Sequence, residues 1–214
     1  MNTFENQTQS LLSDYLCWRL IKSGHSNLSI VNKENLEKNS KLDLCLIIRQ
    51  LGYQFEIKYN SQYLALATRL EINAFNYKQV LGIIFNELFE LEYENGKNFN
   101  WGRIIGLFSL AGCLVMRLYE DKVQNLIPNV LECINFFLTK NSRIRLWFHE
   151  NNYWDGLIEK FNNCECILSK EDVFYKNNTE SAANNFFNVN KLIVLGIGAL
   201  TMFTFGFIYF KRSK

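Results

Sequence analysis

Arg103 is the residue whose type and position most suggest chemistry. It follows Asn100 by three positions and opens Ile104–Met116 (IIGLFSLAGCLVM), an uncharged run that is apolar all round. Asn100 is a good N-cap for a helix there, because its side chain can accept from a free backbone N–H. Arg103 then falls in the first helical turn, where a cation opposes the helix dipole at a cost of roughly 0.3–1 kcal/mol. Residues that break a local rule often serve a function. A guanidinium at the floor of a groove can grip a carboxylate through two parallel hydrogen bonds. An internal ion pair, for example with Glu87, is the alternative use of the same charge.

Other reactive side chains are less suggestive. Asp155 stands three positions after Asn152, a plausible N-cap, where an acidic residue complements the dipole of a short helix. The six cysteines (Cys17, Cys45, Cys113, Cys133, Cys164 and Cys166) do not have zinc-site spacing, and His25 and His149 are the only histidines that could assist. Cys113 and Cys133 lie in apolar stretches and read as small hydrophobes, whereas Cys164-Glu165-Cys166 sits in a polar one. The sequence holds no GxSxG, P-loop, Rossmann fingerprint or HExxH. Binding is therefore expected rather than catalysis, with no cofactor and no metal.

Helices must position these residues. One proline and 11 glycines in 214 residues leave few breakers, and a 48% hydrophobic content supplies a full core. The spacing of Leu12, Leu16 and Leu20 beside Tyr15 predicts a helix over 10–23, closed by Gly24. Leu44, Ile48, Leu51, Phe55 and Tyr59 make one face of a helix over 43–60, which Tyr63 and Leu66 extend through a short third helix. A helix over 75–92 carries Ile84 and Leu88 on one side. The apolar run at 104–116 is too short to span a bilayer unaided and reads as a central helix wrapped by the others. A helix over 121–140, kinked or restarted at Pro128, and two short ones near 143–150 and 153–161 complete the set. The fold class expected is all-α.

The far end differs. Leu192–Phe210 (LIVLGIGALTMFTFGFIYF) has no charge, and as a helix it would measure about 28 Å, close to a bilayer's hydrocarbon core. Lys191 precedes it, while Lys211, Arg212 and Lys214 follow, and Tyr209 and Phe210 suit a membrane interface. It reads as a tail anchor; a buried C-terminal helix and one that docks on the protein's own groove are the alternatives. The organisation expected is a helical bundle over 1–161, a polar flexible linker over 162–190 and an anchor over 191–214. Met1–Ser10 is polar and unlike a signal peptide, so the reducing cytosol is the expected compartment for the bundle. A net charge of +2 argues against nucleic acid as a partner.

Several stretches together resemble the Bcl-2 family. Asn100-Trp101-Gly102-Arg103-Ile104-Ile105 is similar to its first homology motif, and Trp154-Asp155-Gly156-Leu157 to its second. Ile48–Tyr59 (IRQLGYQFEIKY) stands where the third belongs, and Leu12–Gly24 (LSDYLCWRLIKSG) resembles the fourth. Asn86-Glu87-Leu88-Phe89 also fits the segment before the first motif. The resemblance implies a bundle around a hydrophobic fifth helix and a groove that takes an amphipathic death-motif helix. By position, Phe55, Tyr59, Tyr63, Leu66, Ile84, Leu88 and Leu110 would line that groove, with Glu87, Trp101 and Gly102 belonging to the same site. Arg103 would bind the ligand's aspartate and Asn100 would assist. Four features depart from the family pattern, the first being Ile48 in place of the third motif's leading leucine. Tyr53 follows Gly52 in place of an aspartate, Asn152-Tyr153 precede Trp154 in place of two glycines, and Glu92–Asn98 looks inserted.

The resemblance implies a regulator of apoptosis. Its partners would be pro-apoptotic proteins presenting a death-motif helix, Bax/Bak-like effectors and, through the anchor, the mitochondrial outer membrane or the endoplasmic reticulum. The fourth motif and Tyr53 favour a pro-survival role. The second motif with Phe161, and the apolar central helix, would suit a Bax/Bak-like effector that oligomerises and permeabilises the membrane. Removing Leu192–Lys214 should leave the protein soluble and cytosolic; a truncated chain that still pellets with membranes after alkaline wash would refute the anchor.

Overall fold

The computed structural model describes residues 3–25, 42–59, 61–63, 65, 72–89 and 99–162. All regular structure among them is helical. The main helices are, in order, α1 (Thr3–Lys22), α2 (Leu42–Lys58), α3 (Tyr77–Phe89), α4 (Trp101–Glu120), α5 (Ile127–Lys140), α6 (Ser142–Glu150) and α7 (Tyr153–Asn162), and residues 61–63 and 65 are helical as well. Leu66, Glu92–Asn98, the linker and the C-terminal apolar run lie outside the described residues.

The centre is α4. Every residue from Trp101 to Gly112 is buried. Among the described residues, this helix is long and apolar enough to cross a membrane, yet 83% of its apolar window is covered by the bundle. Its coat is built from the stripes expected. Leu12, Tyr15, Leu16 and Leu20 of α1 and Leu44, Ile48, Leu51 and Phe55 of α2 are all buried. From α3 come Ile84, Phe85 and Leu88. Each helix thus hides one apolar face against a helix that has no polar face of its own.

The directions of the helices follow from pairs of contacts. Tyr15 meets Phe108, and farther along His25 stacks on Tyr119 with ring centres 4.2 Å apart, so α1 and α4 run the same way. A tight turn and a 3-10 helix (Gln124–Leu126) reverse the chain into α5, which restarts with Pro128 in its first turn. Proline is tolerated there because those N–H groups have no intrahelical acceptor. Tyr77 reaches Asn129, and Phe85 stacks on Phe137 at 4.0 Å, so α3 runs parallel to α5.

Two boundaries differ from expectation. The first helix begins at Thr3, about two turns before Ser10. Its polar early turns carry no periodic signal; they are held by long-range packing. Phe4 lies against Phe148 and Tyr153, Trp154 donates its indole N–H to Thr8 at 2.9 Å, and Lys140 pairs with Glu5. At the other boundary Phe75 falls outside α3. Asn73 accepts from the backbone of Phe75 and Asn76, while Asn76 returns a bond to the Asn73 N–H, a reciprocal cap that begins the helix only at Tyr77.

At Gly52 three helices meet most closely. A Cβ there would sit 2.5 Å from the Tyr15 ring, and on the other side Ser109 of α4 donates to the Gly52 carbonyl at 2.8 Å. The ring is fully buried and cannot yield. Gly52→Ala should therefore lower unfolding stability by roughly 1–3 kcal/mol through overpacking. Urea melts would check this, and an unchanged midpoint would mean that α1 and α2 separate easily.

Candidate helix-binding site

Asn100 has extended backbone, and its side chain accepts from the Arg103 N–H at 2.9 Å, capping α4 as its sequence position implies. The Arg103 side chain is buried, 8% exposed, and its Nη1 donates to the Leu88 carbonyl at 3.0 Å. Leu88 belongs to α3, so this bond ties the first turn of α4 to α3. Glu87, one residue earlier, is exposed.

The side chains placed around this arginine by sequence position come together in space. Phe55 and Tyr59 are in ring contact, as are Tyr59 and Tyr63, and the Tyr63 hydroxyl reaches the Gly106 carbonyl of α4. With Ile84, Leu88 and Leu110 they are almost wholly covered, none more than 5% exposed. The site is therefore a packed apolar seam rather than an open groove. One polar group in it is unsatisfied. The Tyr59 hydroxyl is buried without a hydrogen-bond partner, and burial raises its pKa. A buried donor with no acceptor carries its full desolvation cost.

The third motif itself is fastened to α1. Arg49 grips both oxygens of Asp14. Glu56, 5% exposed, accepts from the Tyr15 hydroxyl at 2.7 Å and from Arg19 Nε. Burial raises the pKa of the Glu56 carboxyl, against the opposing pull of Arg19 and these hydrogen bonds. Tyr53, which stands where the family has aspartate, meets Trp18 edge-on and lies 3.7 Å from the Lys22 ammonium. Nothing in the helical period of α2 announced these bonds, because their partners lie 35 or more positions away. Cys113 borders this network; burial pushes its thiol up to about 12, which keeps it protonated and inert.

The second motif packs on the first half of α4. Trp154 is fully buried among Trp101, Phe108 and Phe148. Gly156 is required by close approach, since a Cβ there would lie 1.9 Å from the Asn151 carbonyl oxygen. Asn152 and Tyr153 both have positive φ, 57° and 49°. Asn152 therefore lacks the extended backbone of an N-cap, and its side-chain amide donates to Glu159 instead. Asp155 lies in the first turn of α7. A polar hollow of about 370 Å³ opens here, lined in part by Trp101, Glu150, Asn152 and Glu159, on the second-motif side of Trp101.

Comparison with known proteins agrees with this architecture. Residues 48–154, half of the 214, match the family described as apoptosis regulator proteins, Bcl-2 family. Bcl-2-like protein 1 of Sus scrofa is 25% identical over 170 residues, covering 78% of this chain and 70% of that protein. The Homo sapiens protein of the same name matches over the same shares. Apoptosis regulator Bcl-2 of Gallus gallus is 24% identical over 118 residues, 55% of this chain and 47% of that protein. An all-helical bundle around a buried apolar helix, with a capped arginine at its start, is the architecture these comparisons meet. The chain belongs to the Bcl-2 family of apoptosis regulators.

Proposed function

We propose that this regulator is pro-survival. It would hold an amphipathic death-motif helix of a pro-apoptotic partner in the seam between α2, α3 and α4, and so restrain Bax/Bak-like effectors. Its place would be the mitochondrial outer membrane, or the endoplasmic reticulum, tail-anchored through Leu192–Phe210 and facing the cytosol. The observation that carries this reading is the fastening of its own third motif to α1. An effector must offer that motif to a neighbour. Here, turning α2 outward would break the Arg49–Asp14 pair and the Tyr15–Glu56–Arg19 network, and would expose Phe55. Tyr53 also supplies no carboxylate for a partner's arginine.

The same features favour the acceptor role. Arg103 sits beside the apolar seam, and the unsatisfied Tyr59 hydroxyl offers a donor to an incoming helix. The ligand would displace whatever covers the seam. Its apolar residues would replace that packing, while its aspartate would meet the guanidinium. The effector reading keeps one specific support, the apolarity of α4, which has the length and composition of a membrane span.

The deciding experiment uses the full chain with dye-loaded liposomes. Suppression of release by a known effector is expected, and release by this chain alone, with or without a ligand helix, would establish the other branch. At residue level, Arg103→Ala should weaken an aspartate-bearing helix by roughly 2–5 kcal/mol, the range for removing one partner of a buried charge pair. Calorimetry on a double-mutant cycle with the ligand's aspartate changed to alanine isolates the pairing. If the two losses add, Arg103 serves only the Leu88 carbonyl of α3, and a urea melt of Arg103→Ala would register that role.

A further inference from the structure

The end of the bundle where α4 turns into α5 has an unusual surface. The chain directions bring four segments there: the last turns of α1 and α2, the turn before α3, and the α4–α5 turn. Three large apolar side chains project from these segments. Ile21 is 55% exposed, Ile57 63% and Phe75 101%. Phe75 is not on a loose loop, since the reciprocal Asn73–Asn76 cap fixes its backbone. Exposed hydrophobes are ordinary, and the other pole has its own, so the charges beside these three decide what this surface can meet.

The charges at the same pole specify what. Lys58, Lys78 and Lys122 are exposed beside these tips. The Lys58 ammonium lies over the Tyr59 ring and that of Lys78 over the Tyr77 ring, 5.7 and 5.8 Å from the ring centres. Of the acids at this end, Glu120 and Asp121 are engaged by Arg117, while Glu132 is exposed in α5, on the side that Lys78 faces. The opposite pole also exposes apolar side chains, Leu42 and Leu146 among them, but its charges are mixed. There Lys140 pairs with Glu5, and Arg143, Arg145 and Lys160 stand among Glu150, Asp155 and Glu159.

We propose that the α4–α5 pole is a docking surface for an anionic lipid bilayer. Ile21, Ile57 and Phe75 would enter the headgroup boundary, and Lys58, Lys78 and Lys122 would pair with lipid phosphates. The tips are separate points on several segments rather than a pocket, which suits a fluid planar partner better than a shaped protein. Lysines, as mobile point charges, suit headgroups better than a fixed fork would. This contact belongs to the folded bundle and is independent of the C-terminal anchor. The 29 residues from 163 to 191 have a contour length of roughly 95 Å, so an anchor leaves either pole free to face the membrane.

The test places photoreactive benzoylphenylalanine at Phe75 or, as reference, at Leu146 in the full chain. The chain is synthesised with vesicles of phosphatidylcholine alone or with about one-third phosphatidylserine. Lipid adducts at position 75 should rise about five-fold or more on the anionic vesicles and fall as salt rises. The position 146 yield should stay low on both. Lys58→Gln/Lys78→Gln/Lys122→Gln should return the position 75 yield to its phosphatidylcholine level, while Arg143→Gln/Arg145→Gln/Lys160→Gln should leave it high. Equal yields at the two positions, equal loss in both triple variants, or adducts to protein only would overturn the proposal. Flotation on phosphatidylcholine vesicles reads the anchor separately. Flotation without position 75 adducts sinks this inference alone, and adducts on anionic vesicles without that flotation sink the anchor alone.

Discussion

A helix with no polar face must be covered on every side, and α4 sets that condition for the whole bundle. Twelve consecutive buried residues, Trp101–Gly112, leave no edge that water could share. Apolar burial contributes about 25 cal/mol per Å² of surface, so each helix gains most by laying its single stripe on α4. The homology motifs occur where this covering is tightest. Trp154 seals one end against Trp101 and Phe108, Gly52 lets α2 approach between Tyr15 and Ser109, and Arg103 joins the start of α4 to α3.

The polar bonds specify arrangement more than they add stability. Glu56 is the clearest case, a carboxylate taken out of water between Tyr15 and Arg19. Desolvating such a pair offsets much of its attraction, so the net gain is small, but stranding either partner is costly. The network therefore fixes the register of α1 on α2. That fixation holds the third motif inward, against α1. Arg103 shows the same economy of position, since one guanidinium holds the Leu88 carbonyl of α3 and borders the seam.

The α6–α7 turn shows how a departure from the family pattern is tolerated. Asn152 and Tyr153 adopt positive φ where the family has two glycines. Each non-glycine residue in that conformation costs roughly 1–2 kcal/mol, least for asparagine. Packing compensates at Tyr153, whose ring lies 5.0 Å from Phe4. The early turns of α1 thus support the second motif, which explains why a polar N-terminal stretch is helical.

Much was legible in the sequence. The helical stripes, the fully apolar central helix, the Asn100 cap and the restart at Pro128 follow from local period and local chemistry, which act within one or two turns. The family resemblance also named Phe55, Tyr59 and Tyr63, whose rings meet in series, and Leu88, whose carbonyl accepts from Arg103. The sequence could not give the helical state of Thr3–Gln9, the closure of the seam, the engagement of Tyr53 by Lys22, or the partner of Arg103. Each depends on groups distant in the chain, whose distances no periodicity encodes. Local propensity decided which segments became helices and which faces turned inward; only tertiary packing decided which partners those faces met, because there one helix's buried surface is defined by its neighbour's.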